Sequence, residues 1–370
     1  MRAATADVAI IGGGIVGAAC ARALALEKLR VVLIETNDVG SGATAAGMGH
    51  IVAMDDSEAQ FALTSYSAKL WAQLQPELPA NAEYQSSGTL WIAADSGEME
   101  AVRAKHTYYA RRGVATEILD ERALRQAEPQ LRAGLAGALL APADGVIYAP
   151  CAAHWLSEQA RARGAWIRQG VEALSVAPGI VKLSDGSTLS AGAVIVAAGA
   201  DSARLITGLP VRPRKGHLAI TDRYAGYVRH QLVELGYLKS AHGHDNESVA
   251  FNIQPRSTGQ ILIGSSRQYG SASSPVEPSM LARMLRRAFE YMPGLADLSV
   301  IRTWTGLRAA TPDSLPIIGL VSPGLWAATG HEGLGITTSL GTAQLLADQL
   351  LGRPTAISAE PYRATRFATA

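Results

Sequence analysis

The chain has 370 residues and a formal net charge of +1; 48% of its residues are hydrophobic and 18% are charged. This length and apolar content suffice for two domains or for one large domain with an insertion, whereas the balanced charge without basic runs argues against binding to nucleic acid. The two cysteines, Cys20 and Cys151, are accompanied by no paired Cys/His spacing, which argues against a disulfide framework and against a metal site.

The amino-terminal segment predicts a strand, a helix and a second strand in close succession. The stretch from Asp7 to Ile11 is typical of a short buried strand, the residues from Ile15 to Glu27 of a helix, and those from Arg30 to Ile34 of a second strand. The apolar run from Val8 to Leu26 could also pass for a signal peptide, but Arg22 interrupts it and three consecutive glycines stand where a signal peptide needs helix. We therefore expect a strand–helix–strand unit.

The link between the first strand and the helix has the spacing G-x-G-x-x-G. Gly12 permits a tight turn, Gly14 lets the backbone approach a pyrophosphate, and Gly17 lets helix and strand pack closely. Glu35 directly follows the second strand, where a carboxylate can accept hydrogen bonds from a ribose diol and would repel a 2′-phosphate. Together these positions predict a dinucleotide site that disfavours NADP.

A small, glycine-rich stretch from Asn37 to Ile51 follows this acidic residue. Such a loop can lie against a cofactor, with Ser41 and Thr44 as hydrogen-bond donors. A flexible surface loop is the alternative. Its position directly after the acid favours the cofactor contact.

A third strand of the same sheet is predicted far along the chain. The stretch from Leu189 to Ala200, which contains Ala198 and Gly199, is typical of a buried parallel strand. A helix from Pro150 to Arg163 and a small antiparallel meander precede it. We therefore expect the dinucleotide-binding domain to be discontinuous in sequence.

The intervening blocks have a different character. They contain strands of antiparallel type, long polar connections and an amphipathic helix from Ser279 to Tyr291. We predict that they form a second domain on one mixed sheet. The predicted boundaries assign residues 84–141 and 208–308 to this second domain, and residues 1–83, 142–207 and 309–370 to the dinucleotide-binding domain.

The last predicted unit runs from Gly324 to Gly352. A strand-like stretch, LWAAT, meets the glycine-rich turn GHEGLG, and an amphipathic helix follows at once. Backbone N–H groups at such a helix start can hold a phosphate or a polar ring. A plain C-terminal helix with a glycine start is the alternative.

Five stretches, taken in order, resemble one known family. They are AIIGGGIVGAACARALA, GSGATAAG, VIVAAGADS, GLRAATPDSLPIIG and TGHEGLGITTSLGTAQLLADQL. Over essentially its whole length the chain resembles the superfamily of FAD-dependent D-amino-acid, glycine and sarcosine oxidases. Its GHEGLGITT ending is most similar to the bacterial D-hydroxyproline dehydrogenases and related D-amino-acid dehydrogenases. The resemblance implies an α/β fold with a Rossmann-type FAD-binding domain and a second, substrate domain built on a mixed antiparallel sheet.

The resemblance also implies where FAD binds. In this fold the C-terminal turn returns to the sheet beside the amino-terminal site and holds the flavin end of the cofactor. Because Cys20 and Cys151 lie in predicted helices away from the ring, we expect non-covalent FAD. The residues expected to contact it are Gly12, Gly14, Ile15, Val16, Gly17, Glu35, Ser41, Thr44, Ala45, Val171, Ala198, Gly199, Gly333, Leu334, Gly335, Ile336 and Thr337.

The substrate site implied by the resemblance is centred on Arg308. Family members carry a carboxylate-binding arginine in a GLR or GFR segment ahead of a PxIG stretch, and GLRAATPDSLPIIG contains both; from sequence alone, a surface arginine is the simpler interpretation. Some relatives have a tyrosine where this chain has Asn252, which we expect to donate a hydrogen bond instead. His331 and His50 lie next to the two glycine-rich stretches and are further candidates, with a structural role as the alternative.

The implied reaction is oxidation of the C–N bond of a D-, cyclic or N-substituted amino acid to an imine by hydride transfer to flavin. The best candidate substrate is cis-4-hydroxy-D-proline, which would give a pyrroline carboxylate. A glycine- or sarcosine-type oxidase, a nucleic-acid flavoprotein and a flavin-binding subunit of a larger complex are alternatives, and the charge of +1 argues against the second. We expect a cytoplasmic protein, or one held peripherally on the inner membrane, that forms a homo-oligomer or works with small electron-transfer subunits.

Overall fold

The computed structural model describes residues 4–236, 247–271 and 273–367 of the chain. The described strands are β1 (Ala4–Ile11), β2 (Val31–Glu35), β3 (His50–Ile51), β4 (Thr89–Ala93), β5 (Glu117–Asp120), β6 (Gly137–Ala141), β7 (Gly145–Val146), β8 (Trp166–Gln169), β9 (Ala173–Ala177), β10 (Ile180–Leu183), β11 (Thr188–Val196), β12 (Arg212–Thr221), β13 (Gln231–Glu234), β14 (Glu247–Pro255), β15 (Ile261–Tyr269), β16 (Val300–Ala310), β17 (Ile317–Ser322) and β18 (Leu325–Thr329).

The helices of the described ranges are α1 (Ile15–Leu26), α2 (Ala43–Ala46), α3 (Glu58–Leu74), α4 (Ser96–Ala110), α5 (Glu121–Ala127), α6 (Ala149–Arg161), α7 (Ser202–Leu205), α8 (Pro278–Tyr291) and α9 (Gly335–Leu350). None of these helices offers the length of apolar surface that a bilayer span requires.

The first sheet has the order β17-β18-β11-β1-β2-β8, and the hairpin β9–β10 pairs with β11. Strands β18, β11, β1, β2 and β8 run parallel to their neighbours in this series. Helices α1, α3, α6 and α9 share one hydrophobic core with one face of this sheet, and α7 and the β9–β10 hairpin contribute to the core on the other. Burial on both faces explains why residues 8–11 of β1 and 31–34 of β2 are continuous apolar runs.

The second sheet has the order β16-β12-β15-β14-β13-β4-β6-β5. Helix α8 covers one face, burying Met280, Met284, Ala288 and Tyr291 at helical spacing, and the Tyr291 ring stacks on Phe251 with centroids 4.5 Å apart. The opposite face meets the glycine-rich stretch after β2. This contact brings that loop against the second sheet.

The predicted α/β class with a mixed second sheet is confirmed. Pairs in the second sheet are mostly antiparallel, but β13 and β4 are parallel. The domain boundaries stay a prediction, and strand β16 runs two residues beyond the predicted limit at 308. Helices α3, α4 and α5 were not predicted from the sequence.

Candidate active site

The amino-terminal glycine turn is crowded on one side and open on the other. Gly12 has a φ of +107°, and a Cβ there would lie 2.5 Å from the carbonyl oxygen of Ala197. A Cβ at Gly17 would overlap the carbonyl oxygen of Gly12, so α1 packs directly on the turn. A Cβ at Gly14 would have one described neighbour within 4 Å, the Thr44 hydroxyl at 3.2 Å. The open side lies at the start of α1, where a bound phosphate needs the backbone.

The glycine-rich loop lies against this turn through Thr44. The buried Thr44 hydroxyl accepts a hydrogen bond from the N–H of Ile15 at 3.0 Å, and Val16 follows in the first turn of α1. Because a hydroxyl that accepts one hydrogen bond still has a proton to donate, Thr44 can also serve a phosphate. Ser41 is half-buried, and Ala45 is exposed on α2.

The Glu35 carboxylate accepts hydrogen bonds from the protein backbone. Its Oε2 accepts from the N–H of Gly13 at 2.6 Å, and its Oε1 accepts from the N–H of Asn37 at 2.8 Å. The N–H of Val171 donates to the carbonyl oxygen of Glu35 at 3.2 Å, which places Val171 beside the acid. An ionised carboxylate offers about four acceptor sites, so Glu35 can support the turn and retain capacity for a ribose diol.

Strand β11 ends at Val196, earlier than the sequence predicted. Ala198 and Gly199 lie in the turn that follows, because Gly199 has a φ of +56° and cannot continue the strand. The carbonyl oxygen of Gly199 accepts a hydrogen bond from the Thr329 hydroxyl at 2.9 Å. Ala198 and Gly199 therefore lie beside the amino-terminal glycine turn, just after the end of β11, which pairs with β1.

The C-terminal turn packs on the same glycine-rich loop. Helix α9 begins at Gly335, and the Thr337 hydroxyl donates to the carbonyl oxygen of His50 at 2.7 Å. A Cβ at Gly47 would lie 2.9 Å from Cδ1 of Ile336, so the absence of a side chain at Gly47 permits this approach. The two glycine turns and the loop between them thus form one contiguous surface.

Arg308 lies between the second sheet and the C-terminal turn. Its Nη1 donates to the carbonyl oxygen of Ser266 at 3.0 Å, and a Cβ at Gly216 would overlap its guanidinium. A Cβ at Gly333 would lie 3.7 Å from its Nε. A half-buried guanidinium therefore stands beside the turn that contains Gly333 and Leu334.

The two candidate histidines have different surroundings. The Nε2 of His331 lies 3.0 Å from the Thr342 hydroxyl of α9, and burial lowers the pKa of His331 to about 3. Burial also lowers the pKa of His50, to about 4; an interaction with the Gln231 side chain acts to raise it, and the nearby Arg308 charge acts to lower it. Both rings are therefore neutral near pH 7. The contact with Thr342 favours the structural role for His331, whereas His50 lies close to Arg308.

Asn252 is buried on β14, directly across from Gly264 of β15. Its Oδ1 finds no hydrogen-bond partner among the described residues. Two further buried amides on the same sheet, Gln231 and Gln254, were not predicted as site residues. The alternation of Asn252 and Gln254 with buried apolar residues in the stretch AFNIQP was the signal that could have revealed Gln254.

A buried ion pair also escaped the sequence analysis. Arg214 Nη1 lies 2.6 Å from Glu332 Oε1, and the two side chains are 6% and 9% exposed. Arg214 pairs across the sheet with Arg308, while Glu332 belongs to the C-terminal turn and has a φ of +52°. The pair therefore joins the second sheet to that turn. No local motif marks it, because its members lie far apart in sequence.

Known proteins resemble this chain along most of its length. The family model described as "DAO: FAD dependent oxidoreductase" matches residues 7–349. The glycine oxidase of Geobacillus kaustophilus is 30% identical over 97% of each sequence, and the D-amino acid dehydrogenase of Methylobacterium nodulans is 28% identical over 82% of this chain and 73% of its own. The crystal structure of glycine oxidase from Geobacillus kaustophilus matches with a TM-score of 0.89 at 28% identity, covering 99% of this chain and 100% of that one.

Proposed function

Since this chain belongs to the DAO family of FAD-dependent oxidoreductases, we propose that it oxidises the carbon–nitrogen bond of an amino acid whose carboxylate is held by Arg308. Its cofactor is FAD, which supplies a two-electron acceptor when bound. The substrate loses two electrons and two protons from its Cα–N unit and becomes an imine. The chain's own residues orient the amino acid and exclude water around it.

The glycine turns fit this cofactor. The open side of Gly14 gives a pyrophosphate room to approach, and the first turns of α1 and α9 present N–H groups that have no partner within their helix. We propose that the residues predicted from the sequence hold FAD without a covalent bond. Cys20 is a fully buried residue of α1, and burial raises its pKa to about 12, which makes it an inert thiol.

The observation that carries the substrate proposal is the position of Arg308 beside Gly333. A guanidinium binds a carboxylate through two parallel N–H bonds, which fix its orientation as well as its position. In this proposal an amino acid held at Arg308 has its Cα close to the C-terminal turn. The names of the two sequence relatives described above, glycine oxidase and D-amino acid dehydrogenase, support an amino acid as the substrate.

Within that class we propose a D-, cyclic or N-substituted amino acid, with cis-4-hydroxy-D-proline as the best candidate and a pyrroline carboxylate as its product. The likeness of the GHEGLGITT ending to D-hydroxyproline dehydrogenases supports this choice. In the proposed site Asn252 takes the place of the tyrosine of some relatives and donates a hydrogen bond to the substrate. His50 lines the pocket, and His331 supports the C-terminal turn from behind.

Arg308 is the residue to test. Arg308→Met should retain FAD, because the glycine turns hold the cofactor, but should reduce kcat/KM for the best amino acid by about 30-fold to several hundred-fold, as expected for loss of roughly 2–4 kcal/mol of charge-assisted hydrogen bonding. Arg308→Lys should restore activity only in part, since an ammonium is a point charge. Steady-state kinetics on the acid and on its amide check this. Equal losses on both would show that Arg308 supports the fold or the cofactor instead.

A glycine- or sarcosine-type oxidase and a flavin-binding subunit of a larger complex are the competing functions. A panel of D-, L- and N-methyl amino acids and both proline epimers, assayed with a dye acceptor and with oxygen, separates them. A dehydrogenase should turn over much faster with the dye than it produces peroxide. Comparable rates in air would identify an oxidase, and absence of turnover with every substrate and acceptor would favour the subunit.

A further inference from the structure

Several buried polar groups of the second sheet find no hydrogen-bond partner among the described residues. They are Trp91 Nε1, Asn252 Oδ1 and both polar atoms of the Gln254 amide, while His50 and Gln231 interact with one another. Gln231 and Gln254 are fully buried, and Asn252 is 8% exposed. Buried polar groups are nearly always paired in folded proteins, so this concentration of unpaired groups indicates that something polar binds there.

The strand register places these amides on one face of the second sheet. Val233 of β13 pairs with Trp91 on one side and with Asn252 on the other, and Asn252 pairs with Gly264. Side chains of paired residues point to the same face, as do those two positions further along a strand. Gln254 lies two positions after Asn252, so it faces the same way.

This face is the one directed towards the proposed site. Leu334 of the C-terminal turn packs against the cluster that contains Trp91 and Val233. On the other side of Asn252, a Cβ at Gly264 would lie 3.0 Å from the Met48 sulfur of the glycine-rich loop. The amides therefore lie between two apolar groups of side chains. One includes Leu334 of the C-terminal turn, and the other includes Met48 of the glycine-rich loop.

The unpaired groups are neutral and offer both donors and acceptors. The Gln231 Nε2 donates to the Thr89 hydroxyl and to the carbonyl oxygen of Gly145, each at 3.1 Å, and the Gln231 side chain also interacts with the His50 ring, which acts to raise the pKa of His50. The Gln254 amide can donate and accept. A neutral His50 can do either, depending on its tautomer. Such a set suits an uncharged hydroxyl, which can donate to and accept from neutral amides, whereas a second carboxylate would find no cation among them.

We infer that Asn252, Gln254, Gln231 and His50 form a second subsite, which binds a hydroxyl group on the ring or side chain of the amino acid that Arg308 anchors. This inference rests on the proposed function, because the carboxylate anchor sets the position of the substrate. The subsite would explain how the enzyme selects hydroxylated amino acids over those without a hydroxyl. The two apolar groups of side chains enclose the carbon skeleton, and the amides engage its hydroxyl.

The experiment compares amino acids that differ only by a hydroxyl group, using the FAD-loaded enzyme. The pairs are cis-4-hydroxy-D-proline with D-proline, and D-serine with D-alanine. The unmodified enzyme should prefer the hydroxylated member of at least one pair by about 10-fold to 100-fold in kcat/KM, because the plain substrate leaves buried amides unpaired. In Asn252→Leu and in Gln254→Met the preference should fall towards one, mainly through loss of activity on the hydroxylated member.

Gln268→Met is the matched control. Gln268 is also a buried amide on this sheet whose Oε1 has no partner among the described residues, but its Nε2 donates to Glu247 at 3.0 Å and to Glu277, the residue before α8, at 2.8 Å, so its side chain is directed to the start of α8. Its replacement should leave the preference unchanged even if it lowers stability. Because both substrates are measured on the same preparation, partial unfolding or partial FAD loss cancels from the ratio.

Two results would overturn the subsite while leaving the proposed function intact. One is a preference near one for both pairs in the unmodified enzyme, although Arg308→Met still impairs turnover. The other is a preference that survives in both Asn252→Leu and Gln254→Met. Either would mean that water satisfies the amides in every complex. Turnover of no amino acid at all would instead refute the proposed function, and the subsite with it.

Discussion

The ion pair between Arg214 and Glu332 should be a strong link between the two parts of the site. Its atoms lie 2.6 Å apart and both side chains are more than nine-tenths buried. Removing one member of such a pair leaves an uncompensated buried charge, which typically costs about 3–5 kcal/mol. We therefore expect Arg214→Met and Glu332→Gln each to lower the free energy of unfolding by about that amount.

The double variant Arg214→Met/Glu332→Gln distinguishes the interaction between the two side chains from the effect of replacing each residue alone. Because it buries no unpaired charge, it should be destabilised by at least about 2 kcal/mol less than the sum of the two single variants. Urea unfolding of the apoprotein gives the four free energies of the cycle, and flavin fluorescence gives the FAD dissociation constant of each variant. Weaker FAD binding in the single variants is expected, since Glu332 is part of the C-terminal turn.

An exposed ion pair provides the control. Arg161 and Glu158 lie 2.8 Å apart on α6, with side chains 48% and 38% exposed, so Arg161→Met should change stability far less. If the losses at Arg214 and Glu332 were simply additive, the two residues would not act as a pair. If they were as small as that of Arg161→Met, the argument from burial would be wrong.

Two further predictions concern a glycine turn and a histidine. Gly14→Val should prevent FAD binding while the apoprotein stays folded, because within 4 Å its Cβ would meet only the Thr44 hydroxyl, at 3.2 Å, whereas Gly17→Val should impair folding itself, because its Cβ would overlap the carbonyl oxygen of Gly12. Circular dichroism and flavin retention distinguish the two variants, and normal FAD binding by Gly14→Val would refute the assigned pyrophosphate site. The pKa of His331 is about 3 in the folded protein and 6.5 in the unfolded chain. As the pH drops, the unfolded chain therefore takes up a proton first, and the free energy of unfolding should fall between about pH 6.5 and pH 3, by at most about 1.4 kcal/mol per pH unit. His331→Leu should give a shallower dependence in urea unfolding at several pH values, with His50 supplying part of the remainder; parallel slopes would contradict this.

The parts of the fold that could be predicted are those marked by residues close together in the sequence. The strand–turn–helix units at both ends of the chain combine short apolar runs with glycines at fixed spacing, and such signals survive without knowledge of the tertiary fold. Helix α4 was missed because its buried stripe is not entirely apolar. The stripe includes Lys105, whose ammonium forms an ion pair with Asp55 and lies 4.4 Å from the centre of the Trp91 ring. A lysine counts as polar in any periodicity argument, although here it is buried.

The site shows the same division. Arg308 could be predicted because a local motif contains it. Gln231 and Gln254 could not be brought together from sequence, since only the antiparallel register between β13 and β14, in which Leu232 pairs with Ile253, makes them neighbours. The partnership of Arg214 with Glu332 likewise requires a strand of the second sheet to meet the C-terminal turn. Contacts between segments that are distant in sequence are therefore the part of the site that could not be predicted.

The order of strands in the first sheet has a consequence for biosynthesis. Strand β1 emerges first from the ribosome, but one of its neighbours, β11, begins at Thr188, and the next strand outward, β18, begins at Leu325. The amino-terminal glycine turn therefore stays partly solvated until β18 has been synthesised. FAD is therefore expected to bind late in the synthesis and folding of the chain. A polypeptide released early would carry an intact G-x-G-x-x-G motif and still be colourless.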